Sequence, residues 1–274
     1  MTTEIRSILL HADATAGSVA RLEIAREIAL RHGSAVTALF GATMNTGRAT
    51  FAYSAGAALG AAASEPHELA RDSLQQSCLD EGAEVAWCDL VGDSIGHGFV
   101  AEAAYADLLV IGQQSTGPQE SGGAPEGFVE TVILDSGKPT LVVPAVARAG
   151  AFGERTLVAW NGSAQAARAV TGALPLLRHA REVHVATWSR HPLAAPFSGI
   201  DIGAFLKRHG IETTLHRNPA SSHIGQDLAA LARTLRADLV VMGCYGHSRI
   251  SERVLGGATR SVLATLPLPL LMAH

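Results

Sequence analysis

Short aliphatic runs alternate along this chain with longer stretches that are rich in alanine, leucine and arginine. Runs such as residues 108–112 and 239–243 are apolar throughout rather than at every second residue, which is typical of strands buried on both faces of a parallel sheet. Because strand and helix patterns alternate, we expect right-handed crossovers with helices on both faces. Strands are predicted near residues 6–12, 35–41, 83–90, 107–112 and 140–144, and again near 156–160, 182–188, 211–216, 238–243 and 269–273.

One strand pattern occurs twice. Residues 106–112 read ADLLVIG and residues 237–243 read ADLVVMG, so that five of the seven positions are identical. Each copy precedes a glycine-containing loop, a helical stretch and a last strand that follows a proline. The repeat predicts an α/β fold of two tandem, doubly wound, Rossmann-like sheets of five parallel strands. The two domains are predicted at 1–146 and 154–274, with a short linker of small residues between them.

The first half is longer in its middle. Asn161 follows Asp13 by 148 positions at the start of the repeat, whereas Asp238 follows Asp107 by 131. The stretch 44–64 is rich in Gly, Ala, Ser and Thr, and it accounts for most of the extra length. We expect it to form a mobile surface loop or lid after the second strand.

The composition limits the classes of protein to which this chain can belong. Apolar residues make up 47% of the chain and charged residues 17%, which is enough apolar surface to fill two cores. The net charge is −4 and no Lys/Arg cluster occurs, which argues against a nucleic-acid partner. Neither a membrane-length apolar run nor a signal peptide is found. Since the three cysteines have no metal-type spacing and leave one unpaired, we expect a cytoplasmic protein with no membrane partner.

The candidate chemistry lies after the fourth strand of the second half. Gly243, Gly246 and Gly256 follow the pattern Gly-x2-Gly-x9-Gly, with Thr259 three residues further on. Glycines let backbone N–H groups converge on a polyphosphate. A helix starting near Gly256 or Gly257 would add unpaired N–H groups and the positive end of its dipole. This loop is expected at the carboxyl ends of parallel strands, where doubly wound sheets bind ligands.

This loop, in a domain of this size and element order, resembles the universal stress protein family, and the duplication is similar to its tandem-domain members. The resemblance covers essentially the whole chain. It implies strand order 3-2-1-4-5 and binding of ATP, with Mg²⁺ if ATP is bound. By position it implies adenosine contacts from Ala159, Trp160, Asn161 and Trp188, and phosphate contacts from Met242, Gly243, Gly246, Gly256, Gly257, Ala258 and Thr259.

Several positions depart from the family pattern. ATP-binding members usually have Asp at the position of Asn161 and Ser or Thr at that of Gly257. Without the Asp, the charge-assisted hydrogen bond to the ribose is lost, and without the Ser or Thr, one hydroxyl contact to a phosphate is lost. Together these losses would weaken the binding free energy by about 2–4 kcal/mol if nothing replaces them. In the first half, Ser115 replaces the second glycine and Glu126 replaces the third, where a carboxylate would repel phosphate. Although Asp13 is retained, we expect the first half not to bind ATP.

Each candidate residue also has a plainer interpretation. Trp160 and Trp188 are typical packing residues. Cys244, flanked by glycine at a helix entry, is either a thiol of lowered pKa or an ordinary loop residue. Ser163 is interpreted as a helix N-cap rather than a nucleophile. The 12 histidines show no metal-ligand spacing, so neither a metal site nor a catalytic residue is predicted.

Three functions remain open at this stage. The leading hypothesis is a stress-response sensor or adaptor that binds a nucleotide with little or no turnover, because no general base or Mg²⁺ carboxylate stands beside the loop. The alternatives are an interaction scaffold that binds no nucleotide, with unknown protein partners, and a nucleotide hydrolase of the adenine-nucleotide α-hydrolase group. Since single-domain family members pair through their last strand, the resemblance implies an intramolecular pseudo-dimer through 140–144 and 269–273, and leaves open a homodimer of whole chains.

Overall fold

The computed structural model describes residues 4–41, 69, 71–76, 84–90, 95–114, 123–145, 152–188, 200–245 and 257–274. The predicted surface loop at 44–64 lies outside these residues. The strands are β1 Ser7–Ala12, β2 Ala35–Phe40, β3 Val85–Asp89, β4 Leu108–Gly112, β5 Thr140–Val143, β6 Arg155–Ala159, β7 Glu182–Trp188, β8 Thr214–Asn218, β9 Leu239–Gly243 and β10 Leu270–Ala273. The helices are α1 Gly17–His32, α2 Ile95–Ala103, α3 Phe128–Asp135, α4 Ala164–Leu177, α5 Ile202–Arg208, α6 Ile224–Leu235 and α7 Gly257–Thr265.

The strands form one sheet in the order β3-β2-β1-β4-β5-β10-β9-β6-β7-β8. Within each half all neighbouring strands are parallel, and each half has the order 3-2-1-4-5 that the resemblance implied. The last strands β5 and β10 pair antiparallel, with Leu141 opposite Leu271 and Val142 opposite Leu270. This confirms the prediction that the two last strands meet inside one chain, so the two five-stranded sheets are continuous.

Helices cover both faces of this sheet, which explains why its central strands, such as β4 and β9, are apolar throughout. On one face, here called the α1 face, buried side chains of α1, α4 and α5 pack with residues such as Val158, Val185 and Val241. On the opposite α3 face, buried side chains of α2, α3, α6 and α7 pack with Leu157 and Val240. Among the described residues, no helix combines the length and apolar character needed to cross a bilayer.

The aspartate repeated in both halves anchors the start of the central strands. Backbone N–H groups of Glu154 and Arg155 donate to the Asp238 carboxylate at 3.1 Å. In the first half the N–H groups of Arg6 and Ser7 donate to Asp107 Oδ2 at 2.8 and 3.0 Å. Each aspartate thereby binds the backbone at the start of the neighbouring strand. This role gives a structural reason why the aspartate occurs in both copies of the repeated segment.

The third strand of the second half was predicted at 211–216 but begins at Thr214. Ile211 is buried, and its N–H donates to the carbonyl of Leu206 at 3.0 Å. Gly210, with φ of 77°, makes the left-handed turn that closes α5 before this bond. The apolar Ile211 therefore belongs to the end of the helix, and the strand prediction was wrong by three residues at this end.

The predicted linker contains a buried anchor that sequence reasoning missed. Phe152 is 3% exposed and lies in the core. Its N–H donates to Glu27 Oε1 at 3.4 Å, and its carbonyl accepts from Arg31 Nη1 at 3.1 Å. The entry to the second half is thus fixed to α1 of the first half.

Candidate functional site

The parallel sheet brings three of the predicted residues together at one edge. Ala159 ends β6 and is paired with Met242 of β9, while Gly243 ends β9. Because both strands run in the same direction, their carboxyl ends face the first turn of α4. This meeting point of β6, β9 and α4 is here called the second junction, and it is where a doubly wound sheet binds ligands.

Gly243 has a packing role that the sequence did not reveal. A Cβ atom at this position would lie 2.3 Å from the backbone nitrogen of Ala166 and 2.5 Å from the carbonyl carbon of Gln165. Such distances are far inside van der Waals contact. Glycine is therefore required here so that the first turn of α4 can rest directly on β9.

Asn161 is exposed at the second junction. Its Oδ1 accepts a hydrogen bond from the N–H of Ser163 at 3.0 Å, across Gly162, which has φ of 76°. Ser163 in turn is the N-cap of α4, where its Oγ accepts from the N–H of Ala166 at 3.1 Å. The N-cap interpretation of Ser163 is therefore confirmed, and this turn leaves the Asn161 side chain at the surface.

The two tryptophans do not lie together. Trp160 packs against the core of the α1 face, whereas Trp188 packs against the core of the α3 face. Both are half-buried. Since they lie on opposite faces of the sheet, they do not bracket one base, and the packing interpretation accounts for both.

The glycine loop itself is only partly within the described residues. Gly246 and Gly256 lie outside them. Helix α7 begins at Gly257, close to the predicted start, with Ala258 in its first turn. Thr259 was predicted to contact a phosphate through its hydroxyl. Its side chain is 5% exposed and is therefore packed into the protein.

The thiol of Cys244 is not activated. The side chain is buried, and Sγ donates to the carbonyl of Ala273 at 3.3 Å. Burial raises the pKa of this thiol to about 12. The ordinary-residue interpretation is therefore the one that fits, since the thiol stays protonated at neutral pH.

The equivalent position of the first half, here called the first junction, is closed by a buried ion pair. Asp13 and Arg21 are 3% and 4% exposed, and Arg21 Nη2 lies 2.6 Å from Asp13 Oδ1. The hydroxyl of Thr15 donates to the same oxygen at 2.5 Å, and that of Ser18 at 2.9 Å. The Oδ1 atom of the acid retained in the first half is thus engaged by three side chains of its own chain.

Arg21 also fills the space beside the last glycine of β4. A Cβ atom on Gly112 would lie 2.2 Å from Arg21 Nη1. In the second half the residue at the position of Arg21 is Ala169, and the backbone of α4 lies beside the matching Gly243. The two junctions therefore have the same strands and glycines but different contents.

Sequence reasoning missed Arg21. A signal was available, because Arg21 directly precedes the apolar Leu22 on the buried side of α1 and follows Asp13 by eight positions. A charged residue on the core side of a helix requires a partner, and Asp13 is the nearest acid that follows a strand.

The ion pair sets the electrostatics of the first junction. Burial alone would raise the pKa of Asp13, but Arg21, His11 and the hydrogen bonds of Thr15 hold it below its usual value. Burial, followed by the charge of Arg21, lowers the pKa of His11 to about 4. His11 Nε2 contacts the Gly41 carbonyl at 2.9 Å, while Nδ1 has no hydrogen-bond partner among the described residues.

Comparison with known proteins finds a family match in the half that contains the second junction. The model of the Universal stress protein family matches residues 154–274. The second half is therefore similar to this family. Among curated proteins, none matches this chain significantly in sequence.

Solved structures resemble the chain over nearly its whole length. A universal stress protein from Archaeoglobus fulgidus DSM 4304 is 18% identical, with 97% of each chain covered and a TM-score of 0.72. A protein described as a universal stress protein from Pseudomonas aeruginosa UCBPP-PA14 is 20% identical, with 98% of this chain and 93% of that chain covered and a TM-score of 0.64. A functionally unknown protein from P. aeruginosa PAO1 is 19% identical, with coverages of 98% and 92% and a TM-score of 0.64. At these identities the likeness establishes the fold.

The buried ion pair gives a stability prediction. Replacing Arg21 by Met leaves Asp13 buried without its cation, so we expect a loss of about 3–5 kcal/mol in the free energy of unfolding at pH 7. The same change in an Asp13→Asn background is expected to cost at least about 1 kcal/mol less, measured by urea denaturation. Arg6→Met serves as the control because Arg6 forms an exposed ion pair with Glu4. Additive effects of the Arg21 and Asp13 changes would contradict the ion pair.

The lowered pKa of His11 gives a pH prediction. Between pH 6.5 and about pH 4 the unfolded chain binds a proton at His11 that the folded protein does not, so stability falls as the pH falls through this window. Between pH 7 and pH 4.5, His11 is expected to lower the free energy of unfolding by an amount on the order of 2 kcal/mol.

This contribution can be separated from other groups by comparing pH slopes. The pKa values of His32 and His216 are also lowered, mainly by burial, and act in the same direction. His11→Gln should therefore flatten the slope of stability against pH only in part, whereas His223→Gln, at an exposed position, should leave it unchanged. A slope that is identical in wild type and His11→Gln would contradict the assignment.

Proposed function

We propose that this protein is a tandem universal stress protein that binds an ATP-type nucleotide through its second half and acts as a sensor or adaptor with little turnover. The observation that carries the proposal is the contrast between the junctions. Asn161 is exposed in the half that matches the family model, whereas Asp13 is buried against Arg21 in the other. One nucleotide is therefore expected per chain.

Asn161 suits a contact with a ribose. The side-chain amide offers two N–H donors and an oxygen with two lone pairs. Its Oδ1 accepts one hydrogen bond, from Ser163, so the oxygen retains a second lone pair. A ribose hydroxyl can both donate to that oxygen and accept from the amide nitrogen.

The start of α7 suits the phosphates. Its first-turn N–H groups and the positive end of the helix dipole favour an anion, and its first turn contains no acidic residue. In the first half, the matching helix α3 has Glu130 in its first turn and the exposed Glu126 just before it. These carboxylates oppose an anion at α3, which supports assigning the phosphates to the second half.

The proposed ligand would carry its own Mg²⁺. Gly257 and Ala258 contribute backbone N–H groups to the phosphates in this proposal, and the bound ion would offset part of the phosphate charge. The nearby nucleophile candidates are engaged elsewhere, because Ser163 Oγ caps α4 and the Cys244 thiol is protonated. Binding without appreciable hydrolysis is the activity that these groups support.

Calorimetric titration with MgATP tests the proposal. We expect one site per chain with a Kd tighter than about 100 μM, which corresponds to a binding free energy of about 5–6 kcal/mol. Gly257→Glu should weaken binding at least about tenfold, because the new carboxylate faces the phosphates, while it stabilises the helix N-terminus and so preserves folding. Ala264→Glu adds the same charge at an exposed position near the other end of α7 and should bind as wild type does.

Other outcomes separate the competing functions. A Kd of 1 mM corresponds to a binding free energy of about 4 kcal/mol. If 1 mM MgATP gives no binding, the interaction scaffold is favoured. Steady release of phosphate that Gly257→Glu abolishes would favour a hydrolase. Two sites per chain would contradict the closure of the first junction.

A further inference from the structure

Two histidines face each other on the outer strands of the second half. His184 lies on β7 and His216 on β8, and β8 is the last strand of the sheet. His216 is paired with Ala186, two residues beyond His184, so both side chains lie on the same face. His184 Nδ1 is 3.1 Å from His216 Nε2.

A carboxylate completes this arrangement. Glu182 precedes His184 by two residues on the same strand and therefore the same face. Its Oε2 is 3.5 Å from His184 Nε2, and its Oε1 is 3.2 Å from Arg155. His184 Nε2 makes no hydrogen bond among the described residues, so the carboxylate contact is what favours a proton there. A proton on Nε2 leaves His184 Nδ1 to accept a hydrogen bond from His216 Nε2 when no ion is bound.

We infer that His184 and His216 form a binding site for one divalent ion of the zinc, nickel and copper class. Imidazole nitrogens bind zinc at about 2.0–2.1 Å, so two such ligands on one ion lie about 3.0–3.4 Å apart. The observed 3.1 Å is the length of a hydrogen bond between the two rings and also falls in this range, so an ion can take the place of the shared proton once His216 carries its own proton on Nδ1. Imidazole is also the ligand type that these metals share.

The surroundings are compatible with such an ion. The His184 side chain is 12% exposed and His216 lies half-buried on the outer strand, so an ion reaches the pair from solvent. The carboxylate of Glu182 behind His184 is the usual outer partner of a metal-bound histidine.

The ion would have two protein ligands, with water completing its coordination. Among the described residues, no group of three or more His, Cys, Asp or Glu side chains is arranged to hold a metal. The site is separate from the proposed nucleotide contacts at Asn161 and α7. It therefore does not depend on the proposed function.

Titration of the untagged protein with ZnCl₂ tests the inference. We expect saturable binding of one Zn²⁺ per chain, weakened at least about tenfold by His216→Gln and by His184→Gln, since each removes a ligand. Glu182→Gln is expected to weaken binding by a smaller factor, because it removes only the outer partner. The matched control is His223→Gln, at an exposed position outside the pair, which should bind as wild type does.

A spectroscopic readout identifies the ligands independently of affinity. With Cu²⁺ in place of Zn²⁺, the electron paramagnetic resonance spectrum should show coupling to two imidazole nitrogens, reduced to one in His216→Gln. Circular dichroism establishes that each variant is folded. Zn²⁺ binding by folded His216→Gln that equals that of wild type, or a Cu²⁺ spectrum unchanged by this substitution, would overturn the inference.

Discussion

The antiparallel pairing of β5 with β10 is the constraint on which the rest of this structure depends. Each half ends in a strand whose outer edge would otherwise present unpaired N–H and C=O groups. Pairing these edges joins ten strands into one sheet. A second contact joins the two halves, because the side-chain amide of Gln113 donates to the Leu263 carbonyl. In addition, the backbone of Phe152 fixes the start of the second half to α1. As a result β3 and β8 are the outer strands of this sheet.

The two halves share one framework of strands but differ at their junctions. Gly112 and Gly243 occupy matching positions, yet one lies against the Arg21 guanidinium and the other against the backbone of α4. The small Ala169 at the position of Arg21 goes with this closer approach. A salt bridge that is buried and hydrogen-bonded occupies the first junction, so in this account a charged ligand has a place only at the second.

Much of the fold could be predicted from the sequence, because it follows from local patterns. Apolar runs located the strands, the repeated Ala-Asp pattern revealed the duplication, and the family resemblance gave the strand order and the pairing of the last strands. The start of β8 was misjudged because Ile211, though apolar, closes a helix. The approach of α4 to Gly243 depends on tertiary packing that no local pattern encodes.

The candidate sites were harder to predict for the same reason. Asn161, Ala159 and Met242 follow from strand order, but the opposite faces of Trp160 and Trp188 depend on the parity of each strand. His184 and His216 are 32 positions apart, and only the register of β7 with β8 brings them together. Spacing rules for metal ligands detect ligands within one segment, so they could not find this pair.

Hydrogen exchange with and without MgATP, followed by mass spectrometry of peptides, tests most directly the claim that only the second junction takes a ligand. The account predicts slower exchange in peptides covering 159–166 and the start of α7, with no change in peptides covering 12–21, where Asp13 is already bonded to Arg21. Slower exchange at 12–21, whether alone or together with the second junction, would contradict it.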